Sequence, residues 1–360
     1  MVSTAVATTG RSRQQSVLLA LVALAIVLIG LSWAKWLPYA DRVAGLASGG
    51  SWPGTSILTA GSGENPFVRA WTFTWAYTEA VWKALAVALV VSACLDVLLP
   101  KRWLLHVLDR RSTLSRSLAG GLAALPGMMC TCCCAPLTVT MRRAGVPVPA
   151  ALAFWLGNPV LNPAVLVFLG FLAPPSWVAV RIVLGVLLVF GFSALIGALI
   201  ARRMGSSAVE LPAADQALAA AQQAEPTTGS EIARRLLRSL TRMVIVLVPE
   251  YLIVVYLVGL FGEPLGQVLG HGGFLAVLIA AVVGAVLVLP TGGEIPIVLG
   301  LAAAGASAGV LGALLLALPA ISLPSFVMVG RALGWRVTAA AAGATVAAAL
   351  LAGGVLALVA

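Results

Sequence analysis

Charge is what this sequence has least of. Only 9% of its 360 residues are charged and just 12 are acidic, against 61% that are hydrophobic, whereas soluble domains carry about a quarter charged residues. A water-soluble globular domain is therefore excluded, and the mean hydropathy of +1.06 marks an integral membrane protein. Histidine is limited to two residues, so an imidazole-based metal centre has no material; His106 and His271 form no ligand pattern. No Gly-Lys-Ser/Thr phosphate loop or other nucleotide motif occurs, which argues against ATP-driven transport by this chain alone. Nothing calls for a cofactor or points to an enzyme. The net charge of +10 would suggest nucleic acid in a soluble protein, but topology accounts for it here and no nucleic-acid partner is expected. Cysteine is scarce as well, with five in all, and Cys94, alone in an apolar stretch, reads as a small buried hydrophobe.

What is present is a series of uncharged runs, several reaching the ~20 residues that a helix needs to cross a bilayer. The first, Ser16 to Ala34, lacks a small-residue cleavage site before "WAKWLPY" and reads as a signal anchor. Cytoplasmic loops collect Lys and Arg, so the arginines select the topology. Placing the N-terminus inside, and letting Ser117–Met141 and Gly272–Ala303 enter and return on the same side, leaves only Lys35, Arg42 and Arg69 outside. Lys83 and Arg181 then fall within spans or at their edges. The expected arrangement is seven spans plus two re-entrant hairpins, C-terminus out. Its parts are an N-terminal tail and anchor (1–37), an outer loop (38–70), a first membrane repeat (71–201), a cytoplasmic linker (202–238) and a second repeat (239–360).

The repeat is visible in the letters. At an offset of 160, Pro136 meets Pro296, Ala144-Gly145 meets Ala304-Gly305, Ala153 meets Ala313, Leu156 meets Leu316 and Pro159 meets Pro319. An odd number of crossings separates the copies, so they lie inverted. Inverted repeats with Gly and Pro breaks at matching points are the mark of secondary transporters, whose substrate sits near the midplane; two hairpins duplicated for packing alone is the plainer reading. The fold class is thus all-α, with inverted repeats that each carry a re-entrant or broken hairpin, plus an extra N-terminal span. Proline removes a backbone donor, and loosened backbone at membrane depth is tolerated only inside protein or along a wet cavity. "LPGMMCTCCCAP" and "GNPVLNP" should therefore face inward. Asn158 and Asn162, four apart in the second motif, are candidates for substrate contact or for hydrogen bonding between helices.

The first motif holds Cys130, Cys132, Cys133 and Cys134. Some of them fall at the first turn of a half-helix, where the dipole favours thiolate. Zinc sites usually pair separated Cys-x-x-Cys units, which are missing here. Compact thiolates beside the thioethers of Met128 and Met129 suit soft centres such as Cu(I), and trivalent arsenic or antimony by the same softness. Cys130, Cys132 and Cys134 are the expected soft-metal ligands, with Cys133 also in the substrate site. Palmitoylation of the "CCC" is the competing reading.

"CTCCCAPL" followed by "RRAGVPVPAALAFWLGNPVLNP" resembles the bacterial permease family that includes the trivalent organoarsenical efflux permeases, the ArsP type. Cys130, Cys132, Pro136 and Leu137 occupy the positions of its Cys-x-Cys-x-x-x-Pro-Leu mark. The hydrophobic pattern agrees over roughly residues 70 to 335, the distinctive motifs over about 126 to 163. The resemblance implies a bacterial inner membrane as the location and that Cys130 and Cys132 bind the metalloid.

Ionisable groups at membrane depth default to functional hypotheses. Glu79 and Lys83, four apart in the second span, are expected to neutralise each other. Glu250 and Glu294 show no such local partner and are the candidates for proton coupling, Glu294 alternatively serving as a helix cap. The expected function is a permease for a thiophilic metalloid or soft metal, exporting its cargo by exchange with protons. Its partners are the bilayer, that cargo and protons. Transport of a sulfur-containing anion such as thiosulfate, and a membrane thiol oxidoreductase relaying electrons through Cys130 and Cys132, are the alternatives.

Overall fold

The chain is described by a computed structural model over residues 13–48, 65–98, 101–204, 228–268, 273–303 and 305–359. The side chains of Asp96 and Glu250 lie outside what it describes, as does His271. The described residues form helices and no strand. In order they are α1 (Arg13–Leu31), a π-helical turn (Ser32–Trp36), α2 (Leu37–Ala47), α3 (Pro66–Val97), α4 (Lys101–Leu108), α5 (Thr113–Ala124) and a 3-10 turn (Leu125–Gly127). Then come α6 (Thr131–Arg143), α7 (Val148–Val160), α8 (Pro163–Leu172), α9 (Pro175–Val186), a second π segment (Leu187–Phe192) and α10 (Ser193–Met204). The second half holds α11 (Gly229–Val268), α12 (Phe274–Gly284), α13 (Glu294–Ala303), α14 (Ala308–Ala320), α15 (Leu323–Leu333) and α16 (Trp335–Val359).

Six helical stretches are long and apolar enough to cross a membrane, and the pair α14 and α15, bent by 52° at its break, makes a seventh. This is a multi-pass membrane protein. Between the spans lie α5 with α6 and α12 with α13, two pairs of short helices, the second pair apolar, at the two stretches where the sequence calls for hairpins. The first span is longer than its uncharged run suggests. It continues through the π turn and α2 to Ala47, past the start of the expected outer loop at residue 38; Pro38 lies inside this run directly after the π turn, the kind of local adjustment with which a transmembrane helix accommodates a proline. At the other end of that loop, Asn65 caps α3 by accepting from Phe67 N–H, so the second span begins at Pro66.

The internal repeat survives into the helix boundaries. α7 and α14 coincide residue for residue at the offset of 160, α8 and α15 start together, and so do α9 and α16. The packing repeats too. α5 lies on α7 as α12 lies on α14, and α3 runs along α11, the opening helix of the other repeat. The inner arm of each hairpin crosses to the opposite repeat: α6 packs on α15, while Ile295 and Leu299 of α13 share a cluster with Val165 and Phe168 of α8.

Lipid supplies no hydrophobic drive between helices, so close contact must come from small residues. A Cβ on Gly120 would stand 2.0 Å from the backbone oxygen of Ala150, which shows how near α5 comes to α7. Among the buried side chains between the repeats are Trp155, Arg181, Tyr77 and Tyr251, all under 2% exposed.

Candidate functional site

The first hairpin breaks where its sequence says it must. After the 3-10 turn Leu125–Gly127, Met128 takes a left-handed conformation with φ 47°, the one such non-glycine residue among those described. For a side chain without local polar capping this is an uncommon backbone state that the surroundings have to hold. Helix α6 then restarts with Cys130 at its N-cap. Pro136 lies further along, inside the helix, so the break precedes it rather than falling on it.

That restart decides which thiols meet. Cys130, Cys132 and Cys133 occupy the N-cap and first turn and are all buried. Their sulfurs lie 3.1 Å (Cys130 to Cys132), 3.0 Å (Cys130 to Cys133) and 4.0 Å (Cys132 to Cys133) apart. Three thiolates bonded at ~2.3 Å to one centre stand roughly 4 Å apart at most and closer when pyramidal, so this set matches one soft ion. Cys134 is not with them, although it was expected among the ligands. It is carried to the opposite side of α6, where its thiol donates to the carbonyl of Thr131 at 3.3 Å and of Trp155 at 3.5 Å. The second acceptor is no accident, because Pro159 cannot return an N–H to Trp155, four residues back. All five cysteines are free, and Cys94 is buried with Ala23, Val97 and Leu98. Met129 is buried in the main core, while Met128 packs on the cluster around Tyr39 and Phe168.

Neighbouring helices complete the surroundings. The Tyr77 hydroxyl of α3 meets the Cys132 sulfur at 3.4 Å, and the buried Tyr251 ring of α11 lies 5.9 Å from that of Tyr77. Thr131 shares a 2.9 Å hydrogen bond with Ser322, at the break between α14 and α15, so the first hairpin is tied to the second repeat beside the thiols. The asparagines are half used. Asn162 caps α8 by accepting from Ala164 and Val165 N–H, leaving its own amide nitrogen without a partner. Asn158 donates to Phe154 O, and its side-chain oxygen, also without a partner, turns toward the hairpin break. A Cβ on Gly127 would meet that oxygen at 2.4 Å.

Glu294 has a partner that local sequence does not show. Arg181 of α9, fully buried, reaches it at 2.8 Å. The same guanidinium donates to the carbonyls of Pro159 and Val160. Those carbonyls are orphaned because Pro163 has no N–H and the Ala164 N–H is taken by Asn162. One arginine thus satisfies the broken end of α7 and fixes the second hairpin to it.

The N-terminal span contributes residues that sequence reasoning placed elsewhere. Lys35, expected outside the membrane, is buried: its ammonium donates to Tyr39 Oη and Thr291 Oγ1, each at 3.1 Å. It also lies within electrostatic reach of Cys130 and Cys133. Trp36, next in the π turn, donates to the carbonyl of Pro126 at 2.9 Å. Adjacent residues of one helical turn therefore hold the breaks of both hairpins, Pro126 in the first and Thr291 in the second. Single π turns recur at functional sites because the extra residue re-aims side chains; no composition signal marks this one. Glu79 and Lys83 do not form the expected pair. No ion pair among the described residues joins them, and the Lys83 ammonium sits over the rings of Trp33 (5.5 Å) and Trp82 (5.9 Å).

A bundle of apolar spans, duplicated around two broken hairpins whose polar and thiol groups all face inward, defines a membrane permease. The chain belongs to the predicted-permease family ArsP_1, whose model matches residues 67–358. It is 38% identical over 312 residues to the UPF0718 protein YraQ of Escherichia coli (strain K12), an alignment covering 85% of this chain and 86% of that one. No solved structure matches. The first span, with Lys35 and Trp36, lies ahead of the residues that the family model matches.

Proposed function

We propose that this permease transports a thiophilic species, a trivalent arsenical, antimonite or a Cu(I)-like ion, bound by Cys130, Cys132 and Cys133. The observation that carries this reading is the buried trio of sulfurs at a helix N-terminus, all within 4.8 Å of one another. Soft thiolate ligands select soft centres, and a helix N-terminus stabilises the ligating thiolates. The trio is closed off from the surface, so loading and release require one repeat to move against the other, as in inverted-repeat transporters. On this reading the cargo moves outward and protons move inward. Glu294 is the coupling group: taking up a proton would release Arg181 and free the second hairpin from α7.

Cells lacking their own exporters and expressing the protein should survive trivalent arsenicals at concentrations that kill the empty-vector strain. Cys132→Ser should abolish that protection and also stoichiometric As(III) binding by the purified protein. Full protection by the serine variant overturns thiolate ligation.

A further inference from the structure

A cavity of 390 Å³ lies between the first span, α3 and the second hairpin, apart from the thiol trio. Among the described residues Lys35, Arg42 and Lys83 line it with a single carboxylate, Glu79; Tyr39 and Thr291 are also in its wall. Among the described residues no carboxylate pairs with Lys35, although its side chain is 7% exposed. Burying a cation is costly unless it is compensated; Cys130 and Cys133 lie within electrostatic reach of Lys35, and a negative group in the cavity would compensate it further. The hydrogen bonds say where. Lys35 has three N–H donors; two are used by the hydroxyls of Tyr39 and Thr291. Each hydroxyl accepts from the ammonium, so each has its own proton to give. The third N–H of the ammonium and the two hydroxyl protons are donors left over for a ligand in the cavity.

We infer that this cavity is a binding site for a small oxyanion, held by Lys35, Tyr39 and Thr291, with Lys83 drawing anions toward it and Glu79 opposing them. The site goes beyond the thiol reading and does not depend on it. Its volume is within the range of small-ligand pockets, and a cleft lined by one sign of charge concentrates ions of the other. On the topology expected from the arginines it opens to the outer side. A bound oxyanion there would add a counter-charge for Lys35 and bear on the break of the second hairpin through Thr291.

The test uses the purified full-length protein in detergent, titrated with sodium sulfate against sodium chloride at matched ionic strength. Tryptophan fluorescence is the readout, since Trp33 and Trp82 lie against Lys83 and Trp36 follows Lys35 in the chain. Saturable binding of sulfate, but not chloride, is expected in the wild type. It should be lost in Lys35→Met, retained in Lys35→Arg, and unchanged in Cys130→Ser or Cys132→Ser, so that failure of the thiol reading and of this one are distinguishable. Glu79→Gln should lower the half-saturating concentration about threefold, the size of one partly screened exposed charge. That arm stands even if Lys35→Met does not fold. Absence of saturation in the wild type, equal binding by a folded Lys35→Met protein, or no tightening in Glu79→Gln overturns the proposal.

Discussion

Cys132 and Cys134 are two residues apart on one helix and should behave oppositely. Cys132 faces Cys130, Cys133 and the Tyr77 hydroxyl, whereas Cys134 spends its thiol on the carbonyl that Pro159 leaves free. Cys134→Ser should therefore keep As(III) binding with a hydroxyl in the thiol's place, while Cys133→Ser should remove it; thiol titration with and without the metalloid separates the two. Gly127 gives a second residue-scale prediction. With the Asn158 oxygen only 2.4 Å from where a Cβ would stand, Gly127→Ala must displace the Asn158 amide from Phe154 O or open the break. A cost of about 1–3 kcal/mol is expected, as for other overpacked sites, visible as a lowered melting temperature in detergent. The cluster and its break were legible in the sequence, since four cysteines after a Pro-Gly step admit few other readings. Which three converge was not, because that depends on where α6 restarts: at Thr131, several residues before the proline that looks like the breaker.

Between elements, the Arg181 to Glu294 pair joins α9 of the first repeat to α13 of the second. Removing one partner of a buried ion pair leaves a charge uncompensated, at a cost of about 3–5 kcal/mol, whereas replacing both by apolar residues is often neutral. Arg181→Met alone should therefore destabilise strongly and Arg181→Met with Glu294→Leu should recover much of the loss, read as unfolding temperature. If Glu294 is the coupling group, the double variant would be stable yet would not exchange protons for cargo in proteoliposomes. Sequence placed Glu294 in the right hairpin but left it without a partner, because Arg181 is 113 residues away and no local spacing links them. The Glu79 and Lys83 spacing misled in the opposite sense. Four residues put two side chains on one face of α3, but the tryptophans of the first span and of α3 itself offer Lys83 a better neighbour than an exposed carboxylate does.

Across the whole molecule, the repeats touch through hydroxyls as well as through apolar helices. Thr131 and Ser322, 2.9 Å apart, bridge the first hairpin to the break of α14 and α15, and at the offset of 160 the partner of Thr131 is Thr291. Thr291 is bonded not by the first repeat but by Lys35 of the added span. The duplicated body is thus made asymmetric by a helix outside the duplication, which touches both hairpin breaks from adjacent residues. If rocking of the repeats moves the cargo, the double variant Thr131→Cys with Ser322→Cys should transport when reduced and stop when oxidised, with reductant restoring flux. Unchanged flux in the oxidised protein would place the moving boundary elsewhere.

The sequence by itself determined the membrane habit, the helical class, the duplication and the two break points, because each follows from composition, from run length and from proline and glycine, all of which act within a few residues of where they stand. Only the tertiary structure decided what meets at the breaks: three thiols of four, an arginine for Glu294, and a buried lysine brought in from a span outside the repeats. Those contacts join residues up to 256 positions apart, and no local preference specifies a partner at that distance; they are fixed by which helix faces remain to be satisfied once the bundle has closed.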